Sequence, residues 1–384
     1  KDEYISFDGD FDELFNKSYE KDIISFGGGV AAREIYPHDE VATVFDDVLA
    51  ERKDRAYFYT PYQGDYELRK QIVSFLSTKG IVTHPGNIQM FTENNQAFDF
   101  VMTLMLMPGD KVIVPEALSP DIYRAILFAG GQLVTVPLDE NGMICDNLGP
   151  LIEKENPKFI YVDSSFNNPT GTIMSVERRK NLLELSYKYR VPIIEEDEGS
   201  ELYYDIDSMP SIKSMDTGNN VIYMYSFSLT MMPGAGISFT IADTGVIKRL
   251  SELVSMKIVS LDWVPQMLLL EYMKQGLFYE RLDGFRELYH HKRDLMCRYL
   301  DEYGGDIGLE YTKPKGGVFL WIKLPSGIDG RELLNDVQKS GVTFIPGYIF
   351  YPQSHRGNDY IRLNYSYPTE AQIKEGTIKF CQIT

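Results

Sequence analysis

Phe159-Ile-Tyr-Val-Asp163 is followed by a loop, by Val176-Glu-Arg-Arg-Lys-Asn-Leu-Leu-Glu-Leu-Ser-Tyr-Lys-Tyr189, and by Pro192-Ile-Ile-Glu-Glu-Asp197. A short apolar run, a helix-period stretch and a second apolar run read as a strand–helix–strand unit with parallel strands. The pattern repeats outward from this unit. Upstream lie the helix-period stretches 66–79 and 95–107 and the apolar runs 111–115 and 132–137; downstream lie the runs 221–227 and 236–242. Short Val- and Ile-rich runs separated by helices predict a mostly parallel sheet covered on both faces. A long helical region, about 246 to 303, then leads to a second αβ region. That region carries Gly317-Val-Phe-Leu-Trp-Ile-Lys323, a helix over 330–340, Val342-Thr-Phe-Ile-Pro346 and Tyr360-Ile-Arg-Leu-Asn-Tyr365. The expected architecture is α/β: a large domain over 65–280, a small C-terminal α/β domain over 281–384, and an N-terminal arm and small-domain segment over 1–64. No internal repeat or low-complexity tract interrupts it.

The 384 residues are 43% hydrophobic, 13% aromatic and 24% charged, a globular composition with enough chain for a buried core. With 38 Lys and Arg against 56 Asp and Glu, the formal net charge is −18. Such a chain repels a phosphate backbone and an anionic membrane surface, so neither nucleic acid nor membrane is expected as a partner of this chain alone. Cys145, Cys297 and Cys381 stand far apart with no CxxC pair, which argues against a zinc site and a disulfide framework and fits a reducing cytoplasm. No apolar run reaches membrane-span length, and the acidic start Lys1-Asp-Glu-Tyr-Ile-Ser-Phe-Asp is unlike a signal or transit peptide. A cytoplasmic location is therefore expected. The first residue is Lys1 rather than Met, as in a chain begun upstream.

Seven short motifs follow one another in a family order. They are Tyr59-Thr-Pro-Tyr-Gln-Gly-Asp-Tyr-Glu-Leu-Arg69, Asn95-Gln-Ala-Phe-Asp99 with Met107-Pro-Gly-Asp-Lys-Val112, Asn168-Pro-Thr-Gly171, Pro192-Ile-Ile-Glu-Glu-Asp197, Ser226-Phe-Ser-Leu-Thr-Met-Met-Pro-Gly234, Lys315-Gly-Gly-Val-Phe-Leu-Trp321 and Tyr360-Ile-Arg-Leu363. Together they resemble the class I/II aminotransferases of the pyridoxal phosphate (PLP)-dependent fold type I. The branch they are most similar to contains 2-aminoadipate and kynurenine aminotransferases and the aminotransferase-like domains of MocR regulators. The resemblance implies a mostly parallel seven-stranded sheet, a homodimer and PLP as family cofactor.

Such an enzyme needs a lysine to condense with the PLP aldehyde, a carboxylate facing the pyridine nitrogen, a stacking ring, and a helix N-terminus with an arginine to hold the phosphate. At the lysine position of the family pattern stands Leu229, and at the arginine position Gly236. Glu196 stands at the pyridine carboxylate position, or Asp197 if the register slips by one; both are candidate acid–base groups. Gly199 replaces the family tyrosine, Pro120 the stacking ring, and Glu93 opens the phosphate cup. Losing a charge-assisted contact to a buried anion costs roughly 2–5 kcal/mol. A like charge beside a phosphate costs on the order of several kcal/mol at an effective dielectric near 20. With the covalent anchor and the stacking ring lost as well, these exceed the roughly 8 kcal/mol of micromolar binding, so no cofactor is expected to be held in the family manner.

Other positions keep the family's residues. Arg362 matches the arginine that takes a substrate α-carboxylate in a planar fork, Asn168 the residue that reaches cofactor and carboxylate, Tyr59 a tyrosine that crosses to the neighbouring subunit, and Ser226 a phosphate-contacting serine. The bland readings are a structural ion pair for Arg362 and a turn for Asn168-Pro-Thr-Gly171. The acidic run 195–198 is either a solvated strand end or, less simply, a site for Mg²⁺ or Ca²⁺; no metal site is assigned. His290-His291 and Lys257 read as solvated helix faces, Met231-Met232 as volume filler, and Gly27-Gly-Gly29 lacks the context of a nucleotide loop. The expectation is an aminotransferase homologue without the Schiff-base lysine that binds a small amino-acid-like carboxylate or keto acid as a sensor or regulatory protein. The alternatives are an enzyme with new chemistry in the old cofactor site, and a lysine-less aminotransferase using PLP or its amine form.

Overall fold

The computed structural model describes residues 14, 16–18, 20, 22–29, 31–36, 38–52, 54, 57–231, 233–352 and 356–384. Residues 1–13 of the expected N-terminal arm and segment, Pro37 and Met232 are among those that lie outside the described residues. The strands of the main sheet are β1 (Ile88–Phe91), β2 (Lys111–Pro115), β3 (Gln132–Val136), β4 (Phe159–Asp163), β5 (Ile193–Asp197), β6 (Val221–Ser226) and β7 (Ser238–Ile241). Their spatial order is β1-β7-β6-β5-β4-β2-β3. Neighbours are parallel except at β7, which runs antiparallel to both β1 and β6. The strand–helix–strand unit that opened the reading is present as β4, the helix Val176–Tyr189 and β5.

Strand alternation divides the core. Tyr161 packs with Phe98, Tyr223, Tyr225 and Phe239 on one face. Its neighbours Ile160 and Val162 pack with Ile113, Leu182, Ile193 and Val221 on the other. Several elements had no counterpart in the sequence pattern, strand β1 and the helix Pro120–Phe128 among them. Strand β1 is four residues long and pairs only with the antiparallel β7, so it lacks the crossover that marks its parallel neighbours. The helix Pro120–Phe128 begins on a proline, which favours a first helical position because its missing N–H has no partner there in any helix. The helical region after residue 243 is three helices, Thr244–Lys257, Trp263–Lys274 and Leu277–Gly304. Gly276, at φ +81°, turns the chain between the last two.

The C-terminal unit is a four-stranded antiparallel sheet in the order Glu310–Tyr311, Phe319–Lys323, Tyr360–Asn364, Ile345–Pro346. The helices Gly330–Lys339 and Glu370–Ile383 contribute Leu334, Val337, Ile373 and Phe380 to its core. Ile24–Ser25 pairs in parallel with Val342–Thr343, and Phe26 and Ala32 enter the same core. The 28-residue helix Leu277–Gly304 runs without a break through position 280. It buries Phe278 and Leu282 with the large sheet and Phe285, Tyr289 and Met296 with the C-terminal unit.

One polar knot lies inside the large unit. The fully buried Arg179 donates to the carbonyls of Met174 (2.8 Å), Ser164 (2.6 Å) and Pro210 (3.1 Å) and stands 3.9 Å from Glu195. Glu195 in turn accepts from Ser164 Oγ and from the backbone N–H groups of Ile212 and Lys213. Removing one partner of a buried ion pair strands the other, so Arg179→Ala is expected to lower unfolding free energy by about 3–5 kcal/mol. Urea unfolding followed by circular dichroism measures it; a change below about 1 kcal/mol would contradict this account of the knot.

Candidate active-site crevice

Strands β4, β5 and β6 end side by side at Asp163, Asp197 and Ser226. The crevice beyond the carboxyl ends of parallel strands is where such sheets hold ligands. A cavity of about 330 Å³ lies there. Asp163, Glu196 and Glu198 line it from the strand ends, Glu93 and Asn94 from the start of the helix Asn94–Met105, and Asp121 from the helix Pro120–Phe128. Asn168, Phe319 and Arg362 close another side. Among the described residues, Arg362 is the one cationic residue lining the cavity.

Glu93 is the N-cap residue of its helix, where the macrodipole favours an anion. Its carboxylate accepts from Ser228 Oγ at 3.3 Å, and Ser226 donates to Ser228 at 2.8 Å. Burial pushes the Glu93 carboxyl above its usual range. A Cβ on Gly236, at φ +50°, would stand 3.0 Å from Glu93 Oε1 and 2.9 Å from Thr92 Cγ2. The space beside residue 236 is therefore held by the glutamate, and a larger residue there meets both a clash and a strained backbone.

Glu196 and Asp197 part company because successive strand side chains point to opposite faces. Glu196 lines the cavity, accepting from Asn94 Nδ2 at 3.0 Å and from the Tyr161 hydroxyl. Asp197 faces away: it accepts from Tyr223 Oη (2.6 Å) and Ser200 N (3.1 Å) and lies 3.6 Å from Lys79. The expected acid–base role for Asp197 is corrected accordingly, since its carboxylate does not reach the cavity. Burial, reinforced by Glu196, pushes Glu198 up to about 8. The same two causes drive Asp163 well above the carboxylate range, although the Asn168 N–H at 2.9 Å opposes them. Glu196 is raised as well, by burial.

Arg362, 3% exposed, donates to Asn168 Oδ1 at 2.7 Å and to the Gly27 carbonyl at 2.9 Å. Its guanidinium lies over the rings of Phe319 (4.2 Å) and Phe350 (4.8 Å), which hold the fork in place. Leu229 lines the cavity, is buried, and packs with the hydrophobic core of the C-terminal unit. Pro120 lines it from the first turn of its helix. Ser226, Gly199 and Gly236 lie outside the lining; a Cβ on Gly199 would sit 3.3 Å from the Ser165 carbonyl. Tyr59 is 79% exposed, away from the cavity.

Lys257 faces Asp99 at 4.0 Å on the surface, and His290 lies beside Asp205 and Asp294, so neither enters the crevice. Met231 is buried in the large core. Among the described residues, no group of three His, Cys, Asp or Glu is arranged to hold a metal ion, and no helix is long and apolar enough to cross a membrane. Sequence reading missed Asp121, Asp163 and Tyr161. The signal for Asp163 was its place as the last residue of an apolar run, the edge from which parallel sheets present side chains.

This crevice and sheet match known proteins along nearly their whole length. The family model for aminotransferase class I and II covers residues 22–378, and the chain belongs to that family. It is 30% identical to the 2-aminoadipate transaminase of Thermus thermophilus over 95% of this chain and 90% of that protein. The kynurenine aminotransferase of Pyrococcus horikoshii superposes with a TM-score of 0.91 at 28% identity, covering 100% of this chain and 97% of that one. The uncharacterized HTH-type transcriptional regulator YisV of Bacillus subtilis is 28% identical over 92% of this chain and 72% of its own length.

The crevice carboxyls set a pH dependence. Glu198 keeps its proton to about pH 8 when folded, against an ordinary 4.5. Between those values the folded state binds more protons than the unfolded one. This contribution to stability is therefore full below about pH 4.5 and is lost as pH rises toward 8. Melting temperature is expected to fall from pH 5 to 8 and the slope to flatten in Glu198→Gln; a variant with an unchanged slope would contradict a buried neutral Glu198.

Proposed function

We propose that this aminotransferase homologue works without PLP and binds a small amino-acid-like carboxylate, as a sensor or regulatory protein. Glu93 carries the reading. A carboxylate of the chain itself sits at the helix N-terminus where the family motif calls for a phosphate, and position 236 brings no guanidinium to offset a second anion. A phosphate forced beside it would meet a like charge, at a cost on the order of several kcal/mol. Leu229 offers no nitrogen for an imine and is packed into a hydrophobic core. The residues present do not fit the cofactor.

Arg362 and Asn168 remain, and a rigid guanidinium paired with an amide suits a planar carboxylate. The relative named as an HTH-type regulator supports the sensor reading, in which ligand binding rather than turnover is the output. A cytoplasmic homodimer belongs to the same proposal. The consecutive exposed rings of Tyr57, Phe58 and Tyr59, 86%, 73% and 79% accessible, are a surface that a second copy would cover.

An enzyme with new chemistry is the second reading, favoured by Glu198, neutral up to about pH 8, beside a Glu196 that accepts from Tyr161 and Asn94. Carboxyls in unlike surroundings can act as acid and base. Its signature is turnover of a bound ligand that Glu198→Gln abolishes while binding persists.

The deciding experiment titrates the purified chain with PLP and pyridoxamine phosphate by absorbance and screens amino and keto acids by thermal shift. No stoichiometric cofactor uptake is expected. An amino or keto acid at 100 times its Kd should stabilise the fold by about 2.7 kcal/mol, and Arg362→Ala should weaken binding by roughly 2–5 kcal/mol. Stoichiometric uptake of either cofactor form would overturn the reading in favour of a lysine-less aminotransferase.

A further inference from the structure

We infer that Phe166 is a positioning residue whose ring, seated against two glycines of the C-terminal unit, fixes the spacing of Asn168 and Arg362. That this pair takes a carboxylate rests on the amino-acid reading above. Phe166 has a left-handed backbone, φ +58°, a conformation that a bulky side chain rarely adopts and that persists only where the surroundings impose it. The residue is buried. A Cβ on Gly316 would stand 2.2 Å from Phe166 Cζ, and one on Gly317 would stand 2.6 Å from Phe166 Cβ. The phenylalanine therefore fills the space that any other residue at those two positions would need for its side chain. Gly317, at φ +72°, also has a backbone that favours glycine.

Both halves of the Asn168–Arg362 pair lie a short step from this contact. On the large unit, Asn168 follows Phe166 by two residues, in a loop that is fixed on either side of the ring. Before it, Arg179 donates to the Ser164 carbonyl (2.6 Å) and to Ser165 Oγ (3.1 Å). After it, Asn167 N donates to the Thr172 carbonyl at 2.8 Å, and the Asn167 carbonyl accepts from Gly171 N at 2.7 Å. Asn168 N then donates to Asp163 Oδ2 at 2.9 Å, and Asn168 Oδ1 accepts from Arg362 at 2.7 Å. On the C-terminal unit, Phe319 follows Gly317 by two residues, and the Arg362 guanidinium lies 4.2 Å from the centre of the Phe319 ring. The glycines are held in turn. Gly317 N donates to the Leu202 carbonyl at 2.8 Å, Tyr203 bridges to Gly316, and Tyr365 Oη reaches the carbonyls of Gly316 (3.0 Å) and Gly317 (2.8 Å). Asn168 and Arg362 thus come from different units, and the seat of the Phe166 ring sets how far apart they stand. Recognition of a planar carboxylate depends on polar groups held at one separation.

The test labels the full, ligand-free chain with phenylglyoxal and follows modification of Arg362 by peptide mass spectrometry. Arg362 is buried and is expected to react slowly in the unaltered protein. Phe166→Asn brings a residue that tolerates the left-handed backbone, and so removes the ring alone. It should raise the labelling rate at Arg362 roughly tenfold, the factor that loss of one charge-assisted hydrogen bond supplies. Gly316→Ala, which dislodges the ring from the opposite unit, should do the same. Leu250→Ala, which removes a buried side chain of the large core in the helix Thr244–Lys257, should destabilise the fold and leave Arg362 labelling unchanged, separating positioning from general loosening. Equal labelling of Arg362 in Phe166→Asn and in the unaltered protein would overturn the inference, as would an equal rise in Leu250→Ala. The standard L-amino acids and their 2-oxo acids, added during labelling, should protect Arg362 in the unaltered protein and protect it less in Phe166→Asn. Protection by none of them would overturn the carboxylate reading, and the ligand-free rates would still decide the role of Phe166.

Discussion

The amino end of a helix attracts an anion, and a carboxylate of the chain stands there at the N-cap position. Glu93 is that residue, at the N-cap position of the helix Asn94–Met105, and it reaches through Ser228 to Ser226 at the end of β6. This contact joins the helix to the centre of the sheet at the point where the family motif would place a phosphate. The neighbouring position had to give way to it: residue 236 is a glycine at φ +50° whose absent Cβ would lie against Glu93 and Thr92.

The other departures are consistent with the proposed loss of the phosphate cup. Leu229 joins the core that holds the C-terminal unit together. That core also receives Leu202 from the large unit and Phe26 from near the chain's start, and the helix Leu277–Gly304 is buried in both cores in turn. The cavity between the units is thus bounded by apolar packing on the Leu229 side and by carboxyls on the sheet side. Burial without a compensating cation makes those carboxyls hold their protons.

Legibility varied with the kind of signal. The strands β2 and β4 and the helix Val176–Tyr189 were visible with their observed bounds, because apolar period and chain breaks coincide there. Strand β1 was not, since an antiparallel edge pairing leaves no crossover in the sequence. The helix Pro120–Phe128 was hidden behind a proline read as a missing ring rather than as a helix start. In the crevice, Arg362, Asn168, Glu93 and Leu229 were named from motifs, and all four line the cavity. Tyr59 was named the same way and lies on the surface of the single chain.

The sequence by itself determined the alternation of strands and helices, the family order of the motifs, and the absence of an amine at 229 and a guanidinium at 236. These are statements about residue type and spacing, which a linear chain carries in full. Only the tertiary structure decided which of two adjacent carboxylates enters the crevice, because Glu196 and Asp197 differ by one step of a strand and so by a whole face of the sheet. It also decided that Asp121, Asp163 and Glu198 share one cavity. Their separation along the chain conceals a proximity that exists only when two strand ends and a helix start converge.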